Sequence, residues 1–340
     1  MEFDTSGQED LSVVSEPRAE YLHRPSDRRL GNESYYFDLV GEELRVMTRL
    51  GFQPYERRAN AWFYVLYDGS VYWFREENIR IEDVFGLHVD AGGFEQSYEI
   101  VEPHERWRLT AAGTVEVADT VEGIFEGGER QGTLEAEIEF FDPVYPSLHM
   151  DMFMETQTHY EHVGHYGGTV TVDGEQVEVS GRGYRDHSWG WWRDWTPGKF
   201  GHVACFAYFE TGDNFVLIAP TKPDDSILRV FGYHADSAGA RRIRDATFEF
   251  DDDRDRSERG LGWARGDIRG EISYGLEFED GSEQLSCTPI HNIPIGFEDR
   301  NWALSDPDAP WMQTLLNKIP ATFEWNGHRG VGWAEDNLPI

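Results

Sequence analysis

The sequence predicts an all-β protein built from two successive antiparallel β-barrels or sandwiches. Three observations carry that expectation. Short alternating runs are punctuated by tight-turn dipeptides, the run pattern restarts near residue 196, and helix–strand alternation is missing. Aromatic residues make up 14% of the chain, a composition that suits pleated, half-buried surfaces.

The first series begins after a polar stretch, residues 1–27, that reads as a flexible N-terminal arm. Ala61–Asp68 (AWFYVLYD) and Ser70–Phe74 (SVYWF) flank Asp68-Gly69, a strong hairpin signal. Asp173-Gly174, Asp280-Gly281 and Asn326-Gly327 repeat it. Gly113 reads as a further turn between Trp107–Ala112 and the run that follows it. Period-two alternation is clear in Thr133–Phe140 (TLEAEIEF) and Thr169–Val179 (TVTVDGEQVEV). On such alternation Trp62, Tyr64 and Trp73 belong to a barrel interior or wall. The second series runs through His202–Glu210, Phe215–Ala219, Ile227–His234, Ala246–Phe250 and Ala264–Ser273 to a last strand around Val331–Ala334. Short helices are expected only at Glu77–Val84 and Trp311–Lys318. The domains are therefore an N-terminal barrel over 28–195 and a C-terminal barrel over 196–340.

Charge narrows the function classes. The chain carries 64 Asp and Glu against 30 Lys and Arg, a net −34, with Lys only at Lys199, Lys222 and Lys318. The acids are spread along the whole chain, as in proteins that stay soluble in molar salt, where self-repulsion is screened. The sequence thus reads as halophilic, with an acidic surface for a cationic partner as the rival reading. Nucleic acid is excluded as a partner, because phosphate neutralisation needs a basic patch and the sequence has none. The first residues lack a basic and an apolar region of signal-peptide type, and no apolar run reaches the ~18 residues of an integral membrane span. A cytoplasmic location is expected, with Cys205 and Cys287 as two reduced, buried thiols. The oligomeric state is not legible.

The densest cluster of reactive side chains is Gly181–Trp195, which contains YRDHSWGWW over Tyr184–Trp192. On a strand, Tyr184, Asp186 and Ser188 face one way and Arg185, His187 and Trp189 the other. Adjacent Ser, His and Asp are not a hydrolase triad, whose members come from separate segments. A purely structural role, with Arg–Asp pairs and tryptophans joining two barrels, accounts for the cluster equally well. A second cluster holds His149, His159, His162 and His165 with Asp151, Glu155 and Glu161. Helical spacing would let the histidines ligate zinc, whereas a strand separates His162 from His159. The flanking Gly167-Gly168 and the alternation favour the strand, so no metal ligands are assigned.

RDHSWG (185–190), preceded by the VDGE turn (172–175), resembles the signature of the family containing the AttH proteins and the carotenoid 1,2-hydratases (hydroxyneurosporene synthases). THYEHVGHYGG (158–168) is similar to that family's His-x-Glu-Gln segment, with His162 in place of Gln. NESYYF (32–37) and RGVGWAE (329–335) resemble its opening and closing strands. The resemblance implies that the two are tandem antiparallel lipocalin-like (calycin) β-barrels and, in the enzymes, cofactor-free hydration of isolated prenyl-type double bonds. It implies an apolar terpenoid, carotenoid or lipid as the small-molecule partner. Protonation of such an alkene needs a sheltered carboxylic acid, aromatic faces for the cation and a group that orients water. On this reading Asp186 is the acid, His187 orients it or takes the water's proton, and Trp189 with Tyr184 lines the cation site. Arg185, His159, Glu161, Trp191 and Trp192 contact the ligand. Pairing of Arg185 with Asp186 would keep Asp186 ionised and make a non-catalytic lipid or isoprenoid carrier the better reading. An isomerase or cyclase on the same scaffold is the third alternative.

Overall fold

The structure is a computed structural model that describes residues 11–24, 31–83, 86–141, 143, 147–150, 157–190, 201–222, 224–298 and 313–339. The chain divides into two units. Among the described residues, one holds those within 11–119 and 128–190, the other those within 120–127 and 201–339.

The N-terminal unit contains β1 (Leu11–Val14), β2 (Asn32–Val40), β3 (Leu44–Gln53), β4 (Arg58–Tyr67), β5 (Ser70–Arg80) and β6 (His88–Ala91). It continues with β7 (Phe94–Glu102), β8 (Arg106–Ala118), β9 (Arg130–Phe141), β10 (Ser147–Met150), β11 (Gln157–Val172) and β12 (Glu175–Gly190). Eight of these strands pair in a closed cycle, β12-β2-β3-β4-β5-β8-β9-β11 and back to β12, all antiparallel. The first expected barrel is therefore present. Closure removes the free edges that make open sheets prone to aggregation.

Alternation sets which side chains fill it. In β9, Leu134, Ala136, Ile138 and Phe140 are buried while Glu135 and Glu137 are exposed. The core gathers Tyr35, Phe37, Phe63, Val65, Trp107, Leu109 and Phe140. Trp62 and Tyr64 alternate with Phe63 and Val65, so they are buried on the other face of the wall, where Arg49 and Arg75 approach the Trp62 ring at 5.1 and 5.9 Å. Asp68-Gly69, Asp173-Gly174 and Asn326-Gly327 all have both residues at positive φ, the primed turn that matches strand twist. Gly113 does not turn the chain. It lies inside continuous β8, where a Cβ would meet the Gly93 carbonyl oxygen at 2.3 Å.

The segment expected as a flexible arm carries β1, paired with β10, and a 3-10 turn over Pro17–Glu20. Glu20 is completely buried.

The second unit contains α1 (Val121–Glu126), β13 (Gly201–Phe209), β14 (Asn214–Thr221), β15 (Phe231–Ala235), β16 (Ala240–Arg242), β17 (Asp245–Phe250) and α2 (Arg256–Ala264). It ends with β18 (Ile272–Phe278), β19 (Gly281–Pro289), β20 (Ile293–Glu298), β21 (Gln313–Trp325) and β22 (His328–Pro339). The sheet runs β16-β15-β14-β13-β22-β21-β19-β18-β17, with β20 on β21, around a core that includes Phe215, Trp263, Tyr274 and Phe323. Cys205 and Cys287 are free thiols in that core.

The helix expectations fail. Residues 77–80 continue β5, 81–83 form a 3-10 turn, and 313–325 form β21. Ala264 ends α2 rather than beginning a strand. The real helices are marked by caps. The Asp255 carboxylate accepts from the Glu258 amide and the Thr120 hydroxyl from the Gly123 amide. Among the described residues no helix is long and apolar enough to cross a membrane.

Candidate functional site

Strands β11 and β12 pair over their full length, and β2 flanks β12 on its other side. Alternation along β12 sorts the reactive residues onto two faces, and each face builds its own network.

The first face carries Tyr184, Asp186 and Ser188. Register places Asp186 opposite Glu161 on β11 and opposite Tyr36 on β2. The Tyr184 hydroxyl donates to Glu161 Oε1 at 2.6 Å, and His159 Nε2 lies 3.2 Å from the same oxygen. Tyr36 donates to Asp38 Oδ2 at 3.3 Å, and the Tyr36 and Tyr184 rings lie 6.3 Å apart. The Ser34 and Ser188 hydroxyls are 3.0 Å apart. Glu161, His159, Tyr184 and Asp38 are buried, and Asp186 is half-buried. Burial pushes the Tyr184 hydroxyl far above its ordinary range, and the carboxylates of Glu161 and Asp186 push it further. Tyr184 therefore stays protonated and can donate to Glu161.

The opposite face, turned to the barrel core, carries Arg185, His187 and Trp189. Arg185 Nη2 lies 2.7 Å from Glu20 Oε1, not on Asp186. Trp107 Nε1 donates to Glu20 Oε2 at 2.7 Å, Tyr160 donates to Glu20 Oε1, and His104 Nδ1 lies 3.2 Å away. Burial raises the Glu20 carboxyl, but Arg185 and His104 outweigh it and hold the group well below the usual carboxylate range. His187 Nε2 lies 2.9 Å from Glu33 Oε1, and burial lowers its affinity for a second proton despite that neighbour. Trp189 stacks on His23 at 3.9 Å.

Of the residues singled out in the sequence, Asp186, Tyr184, His159 and Glu161 come together. His187 and Trp189, expected beside Asp186, are separated from it by the thickness of the sheet. Arg185, expected near Asp186 or the ligand, is bound to Glu20. Trp191 and Trp192 lie outside the described residues, as do Asp151, Glu155 and the side chain of His149. The histidine cluster does not converge, because His162 turns inward to Arg185 Nη2 at 3.1 Å while His159 faces away. Sequence reading missed Glu20, His23, Glu33, His104 and Asp38. Glu33 and Asp38 lay on a recognisable strand. Glu20 had no local signal, since partners such as Trp107 and Arg185 stand 87 and 165 positions away.

The fold has solved relatives. A candidate AttH protein of Nitrosomonas europaea superposes with a TM-score of 0.59 at 14% identity, covering 95% of this chain and 96% of its own. Kievitone hydratase of Nectria haematococca gives 0.56 at 11% identity, covering 99% and 96%. CghA gives 0.52 at 10% identity, covering 92% and 88%. The protein has the tandem lipocalin-like fold of the AttH and hydratase-like proteins, as the motifs implied. No curated protein matches its sequence. The family described as "Domain of unknown function (DUF7064)" matches residues 16–340, and the chain belongs to it.

Proposed function

We propose that this protein adds water across an isolated carbon–carbon double bond of an apolar, terpenoid- or carotenoid-like molecule. The observation that carries this reading is that Asp186 and Glu161 occupy directly opposed positions of β12 and β11, with Tyr184 donating to Glu161 at 2.6 Å. Arg185 is engaged by Glu20 on the opposite face. The Arg185–Asp186 pairing that favoured a carrier is therefore not the one formed.

The chemistry divides between the two acids. Asp186 gives its proton to one alkene carbon, and the pair of π electrons forms the new C–H bond. The cation left on the other carbon lies near aromatic faces, Tyr36 and Tyr184, an interaction worth ~2 kcal/mol or more when desolvated. Water adds to that carbon and loses a proton to Glu161. Hydrogen bonds donated by Tyr184 and His159 favour the anion of Glu161 and suit it to accept. Proton return from Glu161 to Asp186 through solvent closes the cycle, and no redox partner is needed. His187 and Trp189 take no part on this face.

The test supplies the purified protein with acyclic carotenoids and prenylated aromatics and follows the gain of one water by mass spectrometry. Conversion by the native protein that is abolished in Asp186→Asn supports the reading. Conversion that survives this substitution unchanged removes Asp186 as the acid.

A further inference from the structure

We propose that His23, Glu33 and His187 form a binding site for a divalent transition-metal cation of the zinc type. The three side chains come from the N-terminal segment, from β2 and from β12. Glu33 Oε1 lies 2.9 Å from His23 Nδ1 and 2.9 Å from His187 Nε2. One donor atom from each residue lies within 4.8 Å of the other two. Bonds of 2.0–2.1 Å in tetrahedral zinc set neighbouring donors about 3.3 Å apart. A small outward shift therefore lets the trio close on one ion.

A second observation points the same way. His187 Nδ1 lies 2.9 Å from the carbonyl oxygen of Ala19. A carbonyl only accepts, so Nδ1 carries the hydrogen. In the neutral ring Nε2 then turns a lone pair toward Glu33 Oε1, and two lone pairs at 2.9 Å repel unless a proton or a cation lies between them. An imidazole whose far nitrogen donates to a carbonyl is the usual way a zinc-ligating histidine is oriented.

The surroundings hold the donors in place. Tyr35 stacks on His187 at 4.0 Å and Trp189 on His23 at 3.9 Å. The His23 backbone amide donates to both Glu33 oxygens at 3.1 Å. Two imidazoles and one carboxylate make the donor set of an open zinc site, whereas magnesium and calcium favour oxygen donors alone. Bound there, the cation fastens the segment that buries Glu20 to two strands of the barrel. The site faces away from Asp186 and Glu161, so it stands or falls separately from the hydration chemistry.

The competing occupant is the proton, with the trio held by hydrogen bonds alone. To separate them, the full chain is stripped with a chelator and titrated with Zn²⁺, and with Co²⁺ for its visible spectrum. Molar KCl suppresses the diffuse attraction of a chain of net charge −34 for any cation. The expected result is one tight equivalent and the intense absorption of four-coordinate cobalt. His23→Ala removes a partly exposed ligand outside the barrel strands, so it leaves the fold intact, and it weakens binding more than about tenfold. Absence of saturable binding to the folded native protein overturns the proposal. So does binding unchanged in His23→Ala, which places the ion elsewhere, for example at the group formed by Asp213, His234 and Asp236.

Discussion

Glu20 Oε1 and Arg185 Nη2 lie 2.7 Å apart inside the N-terminal unit, and both side chains are excluded from solvent. The pair joins the N-terminal segment to the signature strand. Trp107 and Tyr160 present their rings to the guanidinium at 5.3 and 5.6 Å while hydrogen-bonding to its carboxylate partner. Removing two charges from water is expensive, and the contacts must repay that cost. Loss of one partner strands the other. Glu20→Ala is therefore expected to cost about 3–5 kcal/mol, measured as a lower urea midpoint. Replacing both residues with apolar ones, Glu20→Leu with Arg185→Met, should cost less than the sum of the single changes. Additive losses would show that the two do not act as a pair.

Tyr184→Phe deletes one hydroxyl and nothing else. That hydroxyl is the 2.6 Å donor to Glu161. Loss of a positioning hydrogen bond at an acid–base pair is expected to lower turnover by about 10²-fold, with a stability change of about 1–3 kcal/mol from the altered carboxylate. KM should move little, since the hydroxyl is assigned to the base and not to the ligand. A variant with native turnover would place the reacting proton elsewhere.

The barrel architecture was legible because its determinants are local. Thr133–Phe140 shows its alternation within eight residues, and Asp68-Gly69 announces its turn in two. The capped helix Arg256–Ala264 was missed although Asp255 and Glu258 stand at capping-box spacing, because its Gly-rich interior lacks a helical apolar stripe. In the site, alternation alone separated Asp186 from His187. Pairing across strands could not be read. Whether Arg185 chooses Asp186 next to it or Glu20 far upstream depends on where residues 17–23 come to lie, and no periodicity encodes that.

In the C-terminal unit the Glu335 carboxylate is held by Lys318 and by His202, whose Nε2 lies 2.9 Å from Oε2. Burial raises this carboxyl, but Lys318 and His202 lower it from the ordinary 4.5 to about 2. The folded state therefore binds this proton less readily than the unfolded chain. The stabilisation is complete above about pH 4.5 and is lost as pH falls toward about 2. It amounts to about 3 kcal/mol. Lys318→Met should flatten that part of the stability–pH curve, as read by denaturant midpoints across acidic buffers. An unchanged slope would mean that Glu335 titrates alike in both states.

The net charge of −34 makes salt the last variable. At low ionic strength, about 0.01 M, the Debye length is about 30 Å, so carboxylates across a whole barrel repel one another in the folded state. The unfolded chain relieves this by expanding. At about 1 M the length falls to about 3 Å and only contacts survive. Buried pairs such as Glu20–Arg185 are screened far less than the exposed acids. Added KCl should therefore raise the unfolding midpoint steeply at first and then level off, the opposite of what a fold held mainly by exposed ion pairs would do. Thermal unfolding followed by tryptophan fluorescence over a KCl series checks this. A midpoint that falls with salt would show that exposed pairs such as Arg108–Glu99 and Arg269–Asp267 outweigh the general repulsion.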